Sequence, residues 1–469
     1  MTQAPKVTLF DFFRPLVLDS TFVIMCKSTD DKEKAKAPPP TIQELLTLAK
    51  VETPLDLSQI TKLDLPDCGL SALPDDFATS FPNLSILFLS KNNFTEVPAV
   101  IGECPNLQMV AFRHNQVERI DPDALQPQMR WLILTNNCLT ELPETIGRCT
   151  ILQKLMLCGN QLTALPDAIE NCKNLELIRM ASNRLTEPPL TLLKLPKLSW
   201  VALSNNPFLM HAGPDVEEKL PLLNDVPETE GEILGQGAGG VTRKVNWNGK
   251  TVAVKVFGGA MTSDGLPSAE RRISCVASHI TCDCHIDVYG ETPSGALVME
   301  YLDKFHALAN SPSFETCSRD VYTDASPSLT WPQGQKLLSG LLTELVHLHH
   351  LGICHGDFYG HNILVSEKDP SDVRLSDFGA AFFYEKQTEY GTLLEQTELR
   401  AFAILIEEVS ALIERSNGSF PESAVLTEFA IKCRAESASF ESVLIWWKQK
   451  QLAALAASLD AELKPPPEE

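Results

Sequence analysis

Leucines and asparagines recur in a fixed register through residues 52–210. The unit reads Leu-x-x-Leu-x-Leu-x-x-Asn-x-Leu and is complete at Leu152, Leu155, Leu157, Asn160 and Leu162. Its asparagines, Asn92, Asn115, Asn137, Asn160, Asn183 and Asn206, stand 22 or 23 residues apart, and Cys68 takes their place in the first unit. Leu-x-Leu predicts a short strand with both leucines on one face. The asparagine amide suits the backbone groups of the turn that follows, and Leu-Pro pairs such as Leu142-Pro143 then break the extended run. One unit cannot bury its leucines, whereas a stack can, so the pattern predicts an α/β solenoid. Cys104, Cys149 and Cys172 close three units at matching positions, as a column of small side chains would. Residues between the strand leucines point outward on the concave side. Phe88, Ala111, Ile133, Met156, Arg179 and Ala202 form that row, an apolar surface expected to take a protein substrate or regulator.

The period is lost after Pro207 and Pro214, and residues 226–455 carry other signals. Gly235, Gly237 and Gly240 form Gly-x-Gly-x-x-Gly between two strand-like runs. Glycines there let backbone N–H groups approach phosphate oxygens. A dinucleotide fold would open a helix at this point, but here a second and a third strand follow. The third, Thr251 to Phe257, holds Lys255 twenty residues after the first glycine. A lysine inside an apolar strand needs a paired anion. Glu270, in a helical stretch from Ser268 to Ser278, is the candidate carboxylate. Leucines from Leu337 to Leu351 have helical spacing, and Cys354-His355-Gly356-Asp357-Phe358-Tyr359-Gly360-His361-Asn362 follows at once. Asp377-Phe378-Gly379 comes after the next strand. Asn362 and Asp377 offer oxygen ligands of the kind magnesium prefers. Asp357 suits a base that accepts a hydroxyl proton.

Taken in chain order, these motifs resemble the eukaryotic-type protein kinase superfamily, and the repeats resemble the leucine-rich-repeat family. The resemblance implies a solenoid followed by an α+β bilobal protein-kinase-like domain, similar to soluble leucine-rich-repeat kinases. It implies ATP and magnesium as cofactors and Ser/Thr of a recruited protein as acceptor. By position, Lys255 would hold the α- and β-phosphates and pair with Glu270, Asp357 would be the catalytic base, and Asn362 and Asp377 would bind magnesium. Gly235, Gly237 and Gly240 would cover the phosphates, with Thr242 where a valine is usual. Ala253 and Leu364 would sandwich the purine, Met299 would gate the back pocket, and Glu300 to Leu302 would form the hinge. Three departures stand out. Gly356 replaces the arginine before the base, so control by activation-loop phosphorylation is not expected. Tyr359 replaces the lysine two places after the base, with His361 as one substitute. No Ala-Pro-Glu follows Asp377, and the next helix is expected near Glu398, with Thr388, Tyr390 and Thr392 as loop residues.

Composition narrows the field. A net charge of -22 and a pI near 4.9 argue against nucleic-acid partners. Charges interrupt the apolar runs near the start, and no run reaches the length of a membrane span, so a cytoplasmic location is expected. The lone Cys282-x-Cys284 pair does not read as a zinc site. The resulting division is a flexible leader and cap at 1–51, the repeats at 52–210, the kinase-like domain at 226–455 and a disordered tail at 456–469. Two alternatives remain beside the protein kinase: a small-molecule phosphotransferase, which shares the His-Gly-Asp-x-x-x-x-Asn form, and a weakly active or inactive kinase scaffold.

Overall fold

Seven strands of three residues each build the repeat array in the computed structural model, which describes residues 38–50 and 56–462 except 215–218, 238, 260, 263 and 419. The strands are β1 (Lys62–Asp64), β2 (Ile86–Phe88), β3 (Met109–Ala111), β4 (Trp131–Ile133), β5 (Lys154–Met156), β6 (Leu177–Arg179) and β7 (Trp200–Ala202), paired in parallel in that order. Their central residues, Leu63, Leu87, Val110, Leu132, Leu155, Ile178 and Val201, fill the interior. The asparagines form the expected ladder. Asn137 Nδ2 donates to Phe112 O and Leu134 O at 2.9 and 3.0 Å, and its Oδ1 accepts from Val117 N at 2.9 Å. The other five are buried in equivalent bonds. The residue before each one has a left-handed backbone: Lys91, His114, Asn136, Gly159, Ser182 and Asn205. Cys104, Cys149 and Cys172 are all fully buried in the core.

The array begins with helix α1 (Ile42–Leu48), capped by a reciprocal Thr41–Glu44 box, which buries Leu45 and Leu46 against the first repeat. The leader before residue 38 and the tail from 463 lie outside the described residues.

The second domain has a five-stranded small lobe of order β8-β9-β10-β12-β11: β8 (Glu232–Gly237), β9 (Gly240–Trp247), β10 (Lys250–Phe257), β11 (Val288–Glu291) and β12 (Leu297–Glu300). Helix α2 (Pro267–Ala277) packs beside it. Its chain starts earlier than expected, since Leu220 is buried and Leu223 N bonds Glu291 O at 2.8 Å. The large lobe is built on α3 (Trp331–His350), α4 (Glu389–Asn417), α5 (Ser423–Cys433) and α6 (Phe440–Glu462). Helix α6 runs into the stretch expected to be tail. Helix α4 begins at Glu389, not near Glu398, with Thr388 Oγ1 accepting from Gly391 N as its cap. The stretch after Asp377 is therefore shorter than expected, and Tyr390 and Thr392 are helical. None of the described helices is long and apolar enough to cross a membrane.

The concave face of the array is not an open surface. Its later strands seat the chain's own second domain. Trp200 stacks on Tyr359 with ring centroids 4.2 Å apart and planes 5° from parallel, and its Nε1 donates to Phe358 O at 2.8 Å. Glu176 binds Ser318 Oγ and, at 2.8 Å, Arg319 Nη1. Trp131 meets Phe314 edge-on at 5.8 Å, and Arg400 Nε donates to Leu198 O at 2.6 Å. Arg179 and Ala202, assigned above to a partner, are buried in this contact, and Phe314 covers part of the row formed by Phe88, Ala111 and Ile133.

Candidate active site

Lys255 is held by the alternation of β10: Val252 and Val254 enter the small-lobe core, which turns Lys255 to the other face. Its Nζ lies 2.5 Å from Glu270 Oε1, on α2, and 3.2 Å from Asp377 Oδ1, in the large lobe. Burial alone would lower the Lys255 pKa, but the Asp377 and Glu270 carboxylates outweigh it and keep the ammonium charged. The same ammonium holds the Asp377 carboxyl down to about 2 against the opposing effect of burial. Asp377 itself has a left-handed backbone, φ 59°, and accepts from Gly379 N. Phe378 tucks beneath it against His355, ring centroids 5.0 Å apart.

The glycine turn joins β8 to β9, with Gly237 opposite Gly240 and Thr242 opposite both Gly235 and Lys255. Gly240 has φ 137°, and a Cβ there would stand 2.1 Å from Val256 O, so no other residue fits. A Cβ at Gly235 or Gly237 would meet nothing within 4 Å. That open side suits phosphate oxygens approaching the amides. Ala253 is buried and faces Met299 in the β10–β12 register. Glu300 ends β12, Leu302 follows it, and Leu364 lies on the large-lobe strand Ile363–Ser366.

The catalytic loop hangs from Glu398. Its carboxylate, buried in α4, accepts from His355 N at 3.1 Å and Gly356 N at 2.6 Å, and lies 2.7 Å from His349 Nε2. Burial disfavours the Glu398 anion, but these hydrogen bonds prevail and its pKa falls below the usual value. Asn362 Nδ2 donates to Asp357 O and Oδ2 at 2.8 and 2.9 Å. Those bonds use the amide nitrogen, which leaves the carbonyl oxygen as the atom that could ligate magnesium. His361, expected as a substitute cation, is engaged elsewhere: its Nδ1 lies 2.7 Å from Asp320 Oδ1.

The cation at Asp357 comes from the repeats. Arg179 Nη2 bonds Asp357 Oδ1, and Nη1 donates to Gly356 O at 2.9 Å. Nearby, Lys154 Nζ sits 4.3 Å from the Trp131 ring centroid, and burial pushes its pKa down to about 8. Arg179, Trp200 and Trp131 were not read from the sequence as site residues. The only signal was the pair of departures at Gly356 and Tyr359, whose complements lie in another domain.

A glycine-turned small lobe, a lysine–glutamate pair and an Asp-Phe-Gly turn, set behind a repeat solenoid, give the second domain the bilobal architecture of a protein kinase domain. Sequence comparison agrees: residues 229–408 match the protein kinase domain family and residues 58–117 the leucine rich repeat family, so the chain joins a leucine-rich-repeat region to a protein kinase domain. The chain is similar over this region to several curated proteins, two of the following being named as serine/threonine kinases. Serine/threonine-protein kinase RAD53 of Saccharomyces cerevisiae is 27% identical over 154 residues, 32% of this chain and 17% of that protein. Serine/threonine-protein kinase grp of Drosophila melanogaster is 26% identical over 160 residues, 33% of this chain and 28% of that protein. Cytokinesis protein sepH of Emericella nidulans is 31% identical over 163 residues, 32% of this chain and 10% of that protein. The chain thus spans less than a third of the length of each of these relatives.

Proposed function

We propose that the chain transfers the γ-phosphoryl group of ATP, with magnesium, to a serine or threonine hydroxyl of a protein. The observation that supports this best is the meeting of Lys255, Glu270 and Asp377 across the cleft, beside Asp357 and Asn362. Bound magnesium and ATP supply the phosphoryl group and neutralise the charge that develops on it. Lys255 holds the α- and β-phosphates and is itself held by Glu270. The amides of Gly235, Gly237 and Gly240 cover the phosphates. Asn362 and Asp377 are the magnesium ligands, and Asp377 stays anionic far below neutral pH. Ala253, Leu364, Met299, Glu300 and Leu302 form the adenine side, with Thr242 at its edge. Asp357 orients the acceptor hydroxyl and takes its proton.

A protein partner on the repeats would use the strands that the kinase domain leaves uncovered, around the exposed Lys62 and Asp64 and the half-buried Ile86. Cytoplasmic localisation belongs to the same proposal. Incubation with labelled ATP, magnesium and a generic basic protein is expected to label the protein acceptor. Asp357→Asn is expected to lower turnover by at least ~100-fold, with nucleotide-induced thermal stabilisation retained. Full turnover in that variant contradicts the role of Asp357. Stabilisation by nucleotide without transfer in the unsubstituted chain favours a scaffold.

The short stretch between Asp377 and α4 favours one second reading, since it leaves little chain for a peptide-docking platform. In that reading the acceptor is a small hydroxyl compound. Labelling of small acceptors in place of protein, in the same assay, decides for it.

A further inference from the structure

Arg179 belongs to the sixth repeat strand; the equivalent residues are Asp64 in the first strand and then Phe88, Ala111, Ile133, Met156 and Ala202, so from the second strand onward it is the one charged side chain in the row. Its side chain is only 3% exposed and touches both lobes of the kinase domain. It bonds Asp357 and Gly356 O in the catalytic loop, and its Nε lies 3.0 Å from Asp264 Oδ1 in the segment that leads into α2. We propose that Arg179 is a positioning residue of the kinase active site, a cation lent by the repeats that ties the Glu270 helix to the catalytic loop.

Three observations carry this. The catalytic loop from Asp357 to Asn362 contains no lysine or arginine, and His361 is committed to Asp320. A part-buried carboxylate without a partner is costly, so the countercharge must come from outside the loop. The loop is also shaped to the array. Gly356 has φ 73°, and a Cβ there would stand 2.2 Å from Val201 O, while Tyr359 lies flat on Trp200. The two residues that depart from the kinase pattern are therefore the two that fit the repeats. Finally, the segment before α2 docks on the turns that follow the neighbouring repeat strands. A Cβ on Gly265 would stand 2.8 Å from Ser204 Oγ and 2.9 Å from Gly379 O, and one on Gly159 would meet Met261. Kinases with an arginine before the base couple the same two elements through a phosphorylated loop. Here two acids and one arginine do so with the charges reversed and no phosphate. The Lys255–Glu270 pair is closed in this state, as a strut predicts and as an inhibitory lid does not require.

The inference rests on the kinase reading, and the test separates the two. Initial rates of the full chain are measured for the unsubstituted protein, Arg179→Ala, Arg179→Lys and Asp264→Asn, each with its melting temperature. An inactive unsubstituted chain overturns the kinase reading and this inference with it. With that chain active, Arg179→Ala is expected to lower kcat about 10-fold or more, the scale of one charge-assisted hydrogen bond, with KM for ATP within about twofold. Arg179→Lys is expected to restore part of kcat. Asp264→Asn, on a partly exposed side chain that meets the same guanidinium from the small-lobe side, is expected to lower kcat a few-fold at unchanged melting temperature. A rise in kcat for Arg179→Ala makes the contact an inhibitory lid and overturns the proposal. So does unchanged kcat in Arg179→Ala and Asp264→Asn, or a loss that lysine does not relieve.

A different observation carries a second site. Cys282 Sγ, a carboxylate oxygen of Glu344 and a ring nitrogen of His347 lie within 4.8 Å of one another. Cys282 precedes β11, and the other two stand one turn apart on α3. Glu344 is fully buried with Oε1 2.8 Å from His285 Nδ1, while its Oε2 and the His347 Nδ1 are buried with no hydrogen-bond partner among the described residues. Such atoms are rare unless something binds them. We infer that these three side chains bind a zinc-class divalent ion, with a water in the fourth position. The sequence reading of Cys282 and Cys284 weighed only a second cysteine pair, not a glutamate and a histidine from α3. The chelator-stripped full chain is titrated with zinc chloride alone. One ion per chain and a raised melting temperature are expected, both lost in Cys282→Ser/His347→Ala. No stoichiometric uptake, or the same uptake in the double variant, overturns the assignment.

Discussion

The two sides of the kinase cleft are built by different rules. On the proposed nucleotide side Lys255, Glu270, Asp377 and the glycine turn all come from the kinase domain itself. On the proposed acceptor side, the loop holds Asp357 and Asn362, and the repeats pack against it, with Arg179 on the Asp357 carboxylate, Val201 O against Gly356 and Trp200 against Tyr359. The contrast shows how a loop with no lysine or arginine of its own between Asp357 and Asn362 is given a countercharge from another domain. The charge and the packing are supplied by a neighbouring domain, which makes that domain part of the site and not a tether for it.

The comparison breaks if the repeats can be loosened without consequence. Trp200 is 1% exposed and provides both a ring stack and the Nε1 bond to Phe358 O. Trp200→Ala is expected to cost about 3–5 kcal/mol in urea unfolding. It is also expected to separate one unfolding transition into two, as the array and the kinase domain cease to melt together. A single, unshifted transition would remove the interface from the argument. A smaller effect sharpens the contrast between the two sides through a pair of glycines. Gly356→Ala, which strains a left-handed backbone and drives a Cβ into Val201 O, is expected to cost about 1–3 kcal/mol. Gly237→Ala, with open space around its Cβ, is expected to stay within about 0.5 kcal/mol of the parent. Its effect belongs in KM for ATP. Equal stability losses at the two positions would contradict the division.

The same division decides what was legible in the sequence. Lys255, Asp357, Asn362 and Asp377 sit in short motifs whose chemistry is local, so their residue types and order sufficed to bring them into one cleft. The repeat strands were legible for the same reason, since each leucine and asparagine acts within its own coil or the next. Arg179 and Trp200 were not, because each meets a residue more than 150 positions away and resembles an ordinary outward-facing strand residue. An apolar row read as a partner surface was in part an internal contact. The start of α4 was misplaced because the helical pattern around Glu398 is strong, whereas the cap is a single hydroxyl at Thr388. The left-handed turn before each asparagine was hidden by its variety, since lysine, histidine, asparagine, glycine and serine all occupy it.

That turn offers a test of the array apart from the site. His114 occupies it in the third repeat, with its Nδ1 3.2 Å from Asn136 Nδ2. Burial first, then the charge of Arg113, holds the His114 pKa down to about 4. An unfolded histidine titrates near 6.5. Between those values the unfolded chain binds the proton and the folded chain does not, so this residue's contribution is complete above pH ~6.5 and is lost as the pH falls toward ~4. His114→Asn keeps a side chain that the same turn already uses at Asn136 and Asn205. The parent is expected to lose on the order of 1–2 kcal/mol more than this variant over that window, read as the difference between two urea-unfolding series. Since every other titrating group is common to both proteins, parallel curves would assign the acid sensitivity to groups outside the array's turn, and with it the independence of the array from the catalytic interface would lose its simplest measure.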